Sequence, residues 1–291
     1  MSKVFYEKYI VDNEDTLLNY LRKVNTKNSK NNYKTYLSKD MVKVNNNIIT
    51  KHDFNLKKGD VIEIKNNYII NKKYNVKIEI IYEDEDMIVI NKPSGLLSIS
   101  TDKEKNKTAY SIIRDYLIKN NKNNKIFVVH RLDKDTSGVI IYAKNLKTKS
   151  LLQNLWDKNV IEKEYTAIIE GKMEEDKGTI KSYLIENNEG FVHSTKNRAI
   201  GRYAQTNYEV LKTNKKYQML KVNIKTGRKN QIRVHLSELG YPIVGDKKYG
   251  SKIDPIKRLC LHSRKIVLIS PINKRKMTFE CKVPFNMRSM L

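Results

Sequence analysis

Apolar residues recur along the chain with two different periods, and the places where the period changes predict its elements. Leu17, Leu18, Leu21 and Val24 repeat at helical spacing. Tyr33, Tyr36 and Leu37 do the same behind Ser29, a residue type that caps helices. "MVKVNNNIIT" (41–50) then reads as a strand, an Asn-rich turn and a second strand, and "KKGDVIEI" (57–64) as a Gly-Asp turn opening an alternating strand. The next segment, "KNNYIINKKYN" (65–75), is polar and Asn/Lys-rich, which predicts a linker.

A second unit follows. "IEIIYEDEDMIVINKP" (78–93) predicts a hairpin, with two apolar runs flanking an acidic turn at Glu83–Asp86 and Pro93 ending the second. A helix is expected at about 107–119, and "SLLQNLWDKNV" (150–160) places Leu151, Leu152, Leu155 and Trp156 on one helical face. Further strands are expected at 162–171, 205–226 and 264–271. Strands and helices without a regular alternation predict an α+β class. The expected architecture is a large mixed, mostly antiparallel sheet flanked by helices, behind a small N-terminal α+β module. We place the boundary after residue 72, giving a module with linker over 1–72 and a larger domain over 73–291.

One segment does not fit a purely structural reading. "VVHRLDKDTSGVIIYAKN" (128–145) sets His130, Arg131, Asp133 and Asp135 between two apolar runs that read as buried strands. A carboxylate beside a strand core costs several kcal/mol unless it is compensated, so the segment is either a satisfied turn or a reaction centre.

Charge narrows the choice. Fifty-seven Lys and Arg against 32 Asp and Glu give a formal net charge of +25, which points to a polyanionic partner. Part of the excess follows from a general richness in Lys, Asn, Ile and Tyr. Arg22, Lys23, Lys27, Lys30, Lys34 and Lys39 crowd the first helical portion, where they serve equally as a solvated face or as an RNA contact. Cys260 and Cys281 form no disulfide framework and no metal spacing. No apolar run approaches the roughly 18 residues of a membrane span, and "MSKVFYEKYIVDNED" lacks the pattern of a signal peptide. A cytoplasmic, reduced protein without a membrane partner is expected.

Two resemblances give these features a context. "LLNYLRKV" together with "SKDMVKVNNNIITKHDFNLKKGDVIEI" resembles the alpha-L motif, a small RNA-binding module named from a small-subunit ribosomal protein. "HRLD" (130–133), "KEYTAIIEG" (163–171) and "TGRKNQIRVHLSELGYPIVGDKKYG" (226–250), in this order, resemble the pseudouridine synthases of the RluA type, which act on large-subunit rRNA or tRNA. That likeness runs from about Val76 to Pro284, and its "HRLDxxTSG" element is highly specific.

The resemblance implies an enzyme that isomerises uridine in RNA without cofactor, metal or obligatory protein partner. Its carboxylate is Asp133, and the sequence leaves open whether it attacks the sugar, attacks the base or removes a sugar proton. Arg233 of "NQIR" is implied to hold that carboxylate ionised and oriented, and Arg228 of "TGR" to serve a turn or a phosphate. Tyr165 is implied to lie against the target base, and Arg131 to enter the RNA stack as the uridine swings out. On a strand Ile232 would point away from Arg233, or pack under the base if the backbone bends; His130 and His235 read as structural. Arg22, Lys23 and Lys34 are the RNA-contact candidates of the first module. Two departures stand out: Asn230 occupies a position that is usually His, and "GLLSIST" replaces the usual Gly-hydrophobic-His-Pro run. The competing readings are a non-catalytic RNA-binding protein and an RNA N-glycosidase, the latter requiring Asp135 as a second carboxylate.

Overall fold

The computed structural model describes residues 6–24, 30–38, 40–65 and 68–291. Ser29, Lys27 and Lys39 lie outside the described residues. The chain divides into two compact units, Met1–Asn67 and Tyr68–Leu291.

In the first unit, strands β1 (Tyr6–Ile10), β3 (Val42–Val44), β4 (Asn47–Ile48) and β6 (Val61–Lys65) form a sheet in the order β1-β6-β3-β4. The short strands β2 (Asp15–Thr16) and β5 (Asn55–Leu56) pair separately, and helices α1 (Leu17–Val24) and α2 (Lys30–Ser38) follow β2. Leu17, Leu18 and Leu21 are buried, as their spacing predicts, and they share a core with Tyr33, Leu37, Ile62 and Ile64. The β3–β4 turn uses Asn45 and Asn46 at φ +50° and +69°, left-handed values that Asn tolerates and that match the twist of a tight hairpin.

The expected linker at 65–75 is not one. Tyr68–Asn71 forms β7, an edge strand paired with β8 (Val76–Glu83) through Ile69↔Ile78, and both isoleucines are buried. Flanking Asn and Lys residues make the segment polar on average and mask a short strand. The boundary therefore falls after residue 67, not after 72.

The second unit continues with β9 (Met87–Lys92), α3 (Ala109–Asn120), β10 (Phe127–Val128), β11 (Ser137–Ala143), α4 (Leu146–Asn154) and α5 (Trp156–Asn159). Strands β12 (Val160–Glu170), β13 (Lys177–Glu186), β14 (Val192–Thr195), β15 (Arg202–Thr213) and β16 (Tyr217–Ile224) follow, then α6 (Gln231–Glu238), β17 (Leu261–Ile269), β18 (Lys276–Glu280) and α7 (Phe285–Arg288). One twelve-stranded sheet runs β14-β13-β15-β16-β12-β17-β11-β9-β8-β7, with β10 beside β11 and β18 beside β17. Among the described strands, β11 and β17 are the one pair that runs parallel. Two apolar clusters lie along the sheet, one containing Ile112, Ile113 and Leu117 of α3, the other Ile232 and Leu236 of α6. Tyr165 packs against both, so it stands where the two halves meet.

Candidate active site

The chain from β10 to β11 is pinned residue by residue. Leu132 is buried, and a single hydroxyl satisfies both of its backbone groups: Ser98 Oγ donates to Leu132 O at 2.7 Å and accepts from Leu132 N at 3.1 Å. His130 Nε2 accepts from Ile141 N at 3.0 Å, and its ring lies 4.6 Å from that of Trp156. Burial pulls the His130 pKa down to about 3, which keeps the ring neutral and able to accept. Lys92, fully buried, donates from Nζ to Lys134 O, Leu96 O and Pro93 O. Its burial draws the pKa down to about 7, whereas three acceptors call for the three N–H groups of an ammonium. Thr136 N donates to Asp133 O at 3.2 Å and closes the turn.

With residues 130 and 132 turned inward, Arg131 and Asp133 face a recess of about 90 Å³. Leu132, Thr136, Tyr165, Ile224, Gly227, Arg228, Asn230, Gln231, Ile232, Arg233 and Leu261 complete its lining. Many of these residues also border a wider groove of about 630 Å³ that includes Trp156, Lys163 and Lys229.

Arg233 approaches from α6, where the sequence suggested a strand. Ile232 therefore does not alternate with Arg233; it sits one helical step away, packs into the core and still lines the recess. Asn230, at φ +53°, caps the helix in the left-handed region. Arg233 makes a bidentate pair with Asp246, Nε to Oδ2 and Nη2 to Oδ1, both at 2.7 Å. Its remaining nitrogen, Nη1, lies 3.4 Å from Asp133 Oδ2 and 3.2 Å from Asn230 Oδ1. The guanidinium is centred 4.9 Å from the Tyr249 ring. Burial opposes its charge, but Asp246 and then Asp133 outweigh that and hold its pKa above the ordinary value. Arg228 is exposed at the rim, with Nε donating to Tyr203 O at 3.0 Å.

Tyr165, on β12, is half buried, and burial together with the charge of Asp133 pushes its phenol up to about 12, against a hydrogen bond with Ser263. The ring is a neutral phenol near pH 7. His235 is structural as expected, bonded to Ser182 and Thr206.

The recess thus brings together six of the nine residues singled out in the sequence: Asp133, Tyr165, Arg233, Arg131, Arg228 and Ile232. Arg22, Lys23 and Lys34 are surface residues of the first unit, Lys23 with Asp12 at 3.6 Å. Asp246, the stronger partner of Arg233, escaped the sequence analysis, as did Tyr249; the one signal was an acidic residue following Gly in "YPIVGDKKYG". Among the recess residues Asp133 is the one carboxylate. It has a cation to orient it and no acidic partner across the cavity, an arrangement suited to one-carboxylate chemistry and unlike the paired carboxylates of a glycosidase.

Comparison with known proteins agrees. The sequence model of the family described as RNA pseudouridylate synthase matches residues 86–238. An uncharacterized RNA pseudouridine synthase of Bacillus subtilis, YhcT, is 33% identical over 203 residues, covering 68% of this chain and 66% of that protein. The ribosomal large subunit pseudouridine synthase D of Borreliella burgdorferi is 38% identical over 141 residues, 48% of this chain and 43% of its own. The matches thus span between under half and just under two thirds of these relatives. A solved human structure, RNA Pseudouridylate Synthase Domain Containing 4, shares the fold with a TM-score of 0.61 at 24% identity, over 72% of this chain and 90% of that one. As its RluA-type motifs imply, the chain belongs to the RNA pseudouridylate synthase family.

Proposed function

We propose that the protein isomerises uridine to pseudouridine in RNA, with ribosomal RNA of the large subunit as the first candidate substrate and transfer RNA as the second. The observation that carries this reading is the lone carboxylate of Asp133, part exposed in a recess of about 90 Å³ and held by Arg233. The reaction breaks the bond from N1 to the sugar, turns the uracil, forms the bond from C5 to the same sugar carbon, releases the C5 proton to solvent and takes up one proton at N1, so that no atom is gained or lost overall. Asp133 begins it as nucleophile or base. Arg233 aims the carboxylate, and the contact at 3.4 Å is the kind that tightens when substrate binds. Tyr165 supports the face of the base. Arg131, exposed at the mouth, fills the space left in the RNA stack, offsetting the few kcal/mol of unstacking. Arg228 meets a phosphate at the rim. Two family relatives named as ribosomal large subunit synthases support the choice of ribosomal RNA. The basic helices of the first unit, carrying Arg22, Lys23 and Lys34, are assigned to anchoring that RNA.

RNA bearing uridine tritiated at C5 tests the reading. Incubation with the protein is expected to release label while the RNA keeps its mass apart from that exchange. Loss of uracil would mean a glycosidase, and binding without release would mean a non-catalytic RNA-binding protein.

A further inference from the structure

Beneath the Asp133 turn lies a line of buried polar groups that the proposed chemistry does not use. Arg258 Nη2 donates to Ser137 Oγ at 2.7 Å; Ser137 Oγ lies 2.8 Å from His262 Nδ1; His262 Nε2 lies 3.3 Å from Cys281 Sγ; and Cys281 Sγ lies 3.6 Å from Ser263 O. Ser137, His262 and Cys281 are all buried.

The hydrogens on this line point one way. A guanidinium only donates, so Ser137 accepts from Arg258 and turns its own proton to His262 Nδ1. Burial, reinforced by the Arg258 charge, lowers the His262 pKa to about 3, so the ring is neutral and accepts there. Its proton then sits on Nε2 and faces Cys281. Burial raises the Cys281 pKa, so the thiol keeps its proton and directs it at Ser263 O.

Arg258 is the unusual member. Its guanidinium is half buried, yet among the described residues no carboxylate lies within ion-pair distance of it; its other contact is Nε to Leu259 O at 3.1 Å. The place it holds matters. Ser137 and Gly138 are the exit of the Asp133 turn and pair with His262 and Ser263 in a parallel join between β11 and β17 that is two residues long. Gly138 has φ +117°, and a Cβ there would stand 2.1 Å from Ser263 O, so the backbones are already as close as glycine permits. The β9 side pins the turn through Lys92 Nζ and Ser94 Oγ and pairs with β11 from Gly138 on, so on the β17 side the exit at Ser137 has this short ladder as its backbone hold. The side-chain line supplies a second one.

We propose that Arg258 is a positioning residue: acting through Ser137, it fixes the exit of the 133–137 turn and so the aim of Asp133, with His262 and Cys281 as the backstop. The inference rests on the proposed uridine isomerisation for its consequence and on geometry for its cause, and the two are tested apart.

Full-length Arg258→Ala, Ser137→Ala and the double variant are compared with wild type by hydrogen exchange of the peptide spanning residues 131–139, which needs no substrate. Faster exchange confined to that peptide is expected in both single variants; unchanged exchange overturns the proposal. In single-turnover tritium release at saturating RNA, each single variant is expected to lose rate, up to about 100-fold for a misplaced reacting group, with RNA affinity unchanged. The double variant should be no slower than the worse single, since both remove one contact. Arg258 also borders a recess of about 410 Å³ with Lys247 and Lys257. Methylguanidinium is expected to enter it and partly restore Arg258→Ala, but not Ser137→Ala. If instead Arg258→Ala keeps its rate at saturation, weakens RNA binding and flattens its salt dependence by about one phosphate contact, Arg258 is a phosphate ligand and the proposal falls. Wild-type protein that releases no label while the exchange pattern holds would refute the activity and leave the positioning intact.

Discussion

Two carboxylates share one guanidinium and live in opposite settings. The Asp246 side chain is 1% exposed and meets Arg233 in a two-point contact at 2.7 Å; that of Asp133 is 32% exposed and meets the same group once, at 3.4 Å. A buried bidentate pair fixes a geometry, because removing either member strands a charge away from water. A long, single, part-solvated contact fixes little and leaves the carboxylate open to an incoming ligand. Asp246 therefore works as the anchor of Arg233, and Arg233 presents its remaining nitrogen to Asp133. Under the proposed chemistry, stability and reactivity are separated across one side chain.

Neutralising each carboxylate in turn puts that division under the greatest strain. Asp133→Asn is expected to abolish tritium release while RNA affinity changes by less than about tenfold, roughly 1.4 kcal/mol, and the melting temperature stays near wild type. Asp246→Asn should do the reverse in emphasis, costing about 3 kcal/mol of stability for a broken buried pair and lowering turnover because Arg233 is no longer held. Denaturant unfolding and single-turnover release on both variants decide it. Should Asp133→Asn prove the more destabilising of the two, the assignment of anchor and reactant is inverted.

Acid probes the supports on either side. His262 lies under the Asp133 turn and His235 on the helix that carries Arg233, and both are buried. Burial lowers their pKa values to about 3 and about 4 respectively. With folded values below the ordinary 6.5, the unfolded chain binds more protons at mildly acid pH. Their contribution is fully present above pH 6.5 and is lost as pH falls toward the folded values, amounting to about 3 kcal/mol for each by pH 4. His235→Asn should flatten this slope between pH 6.5 and 4, as followed by urea unfolding; an unchanged slope would mean His235 is protonated in the folded state.

How legible these regions were in the sequence differs for physical reasons. The Asp133 turn is local: one short segment holds its own motif and is flanked by apolar runs that do become β10 and β11. Tyr165 likewise sits in a strand whose alternation is visible. The Arg233 side misleads because "QIRVHL" (231–236) alternates polar and apolar residues with period two, yet folds as a helix. Both faces of that helix are buried, including Gln231 and His235, so burial leaves no one-sided stripe to reveal the helical period. Gly240, at φ +89° just past the helix end, was the available helix-stop signal. Asp246 lies thirteen residues from its partner across a turn, and no spacing rule links them. In β7 the period was present but too short to outweigh its polar surroundings.

Arg228 sharpens the comparison from outside it, since it lines the recess without joining either carboxylate. Arg228→Ala is expected to weaken RNA binding at low salt and reduce the slope of log affinity against log salt by about 0.7, the value for one contact to single-stranded nucleic acid. Turnover at saturating RNA should hold. A loss of turnover with an unchanged salt slope would bring Arg228 into the chemistry.

The smallest effect belongs to Asp135, two residues beyond Asp133 in the same turn. Its side chain is exposed and borders the recess behind the turn, not the one that holds Asp133, while its backbone carbonyl accepts from Ser94 Oγ at 2.6 Å. Asparagine keeps that backbone contact and nearly the same shape. Asp135→Asn is therefore expected to change the free energy of unfolding by within about 0.5 kcal/mol, as for an ordinary surface substitution, and to leave tritium release within a few-fold of wild type. Proximity in sequence is all that qualifies Asp135 as a second carboxylate, and the turn sends the two side chains to different cavities. A hundredfold loss of release in this variant, accompanied by free uracil in the wild-type reaction, would show that the two carboxylates do act together and would return the glycosidase scheme to first place.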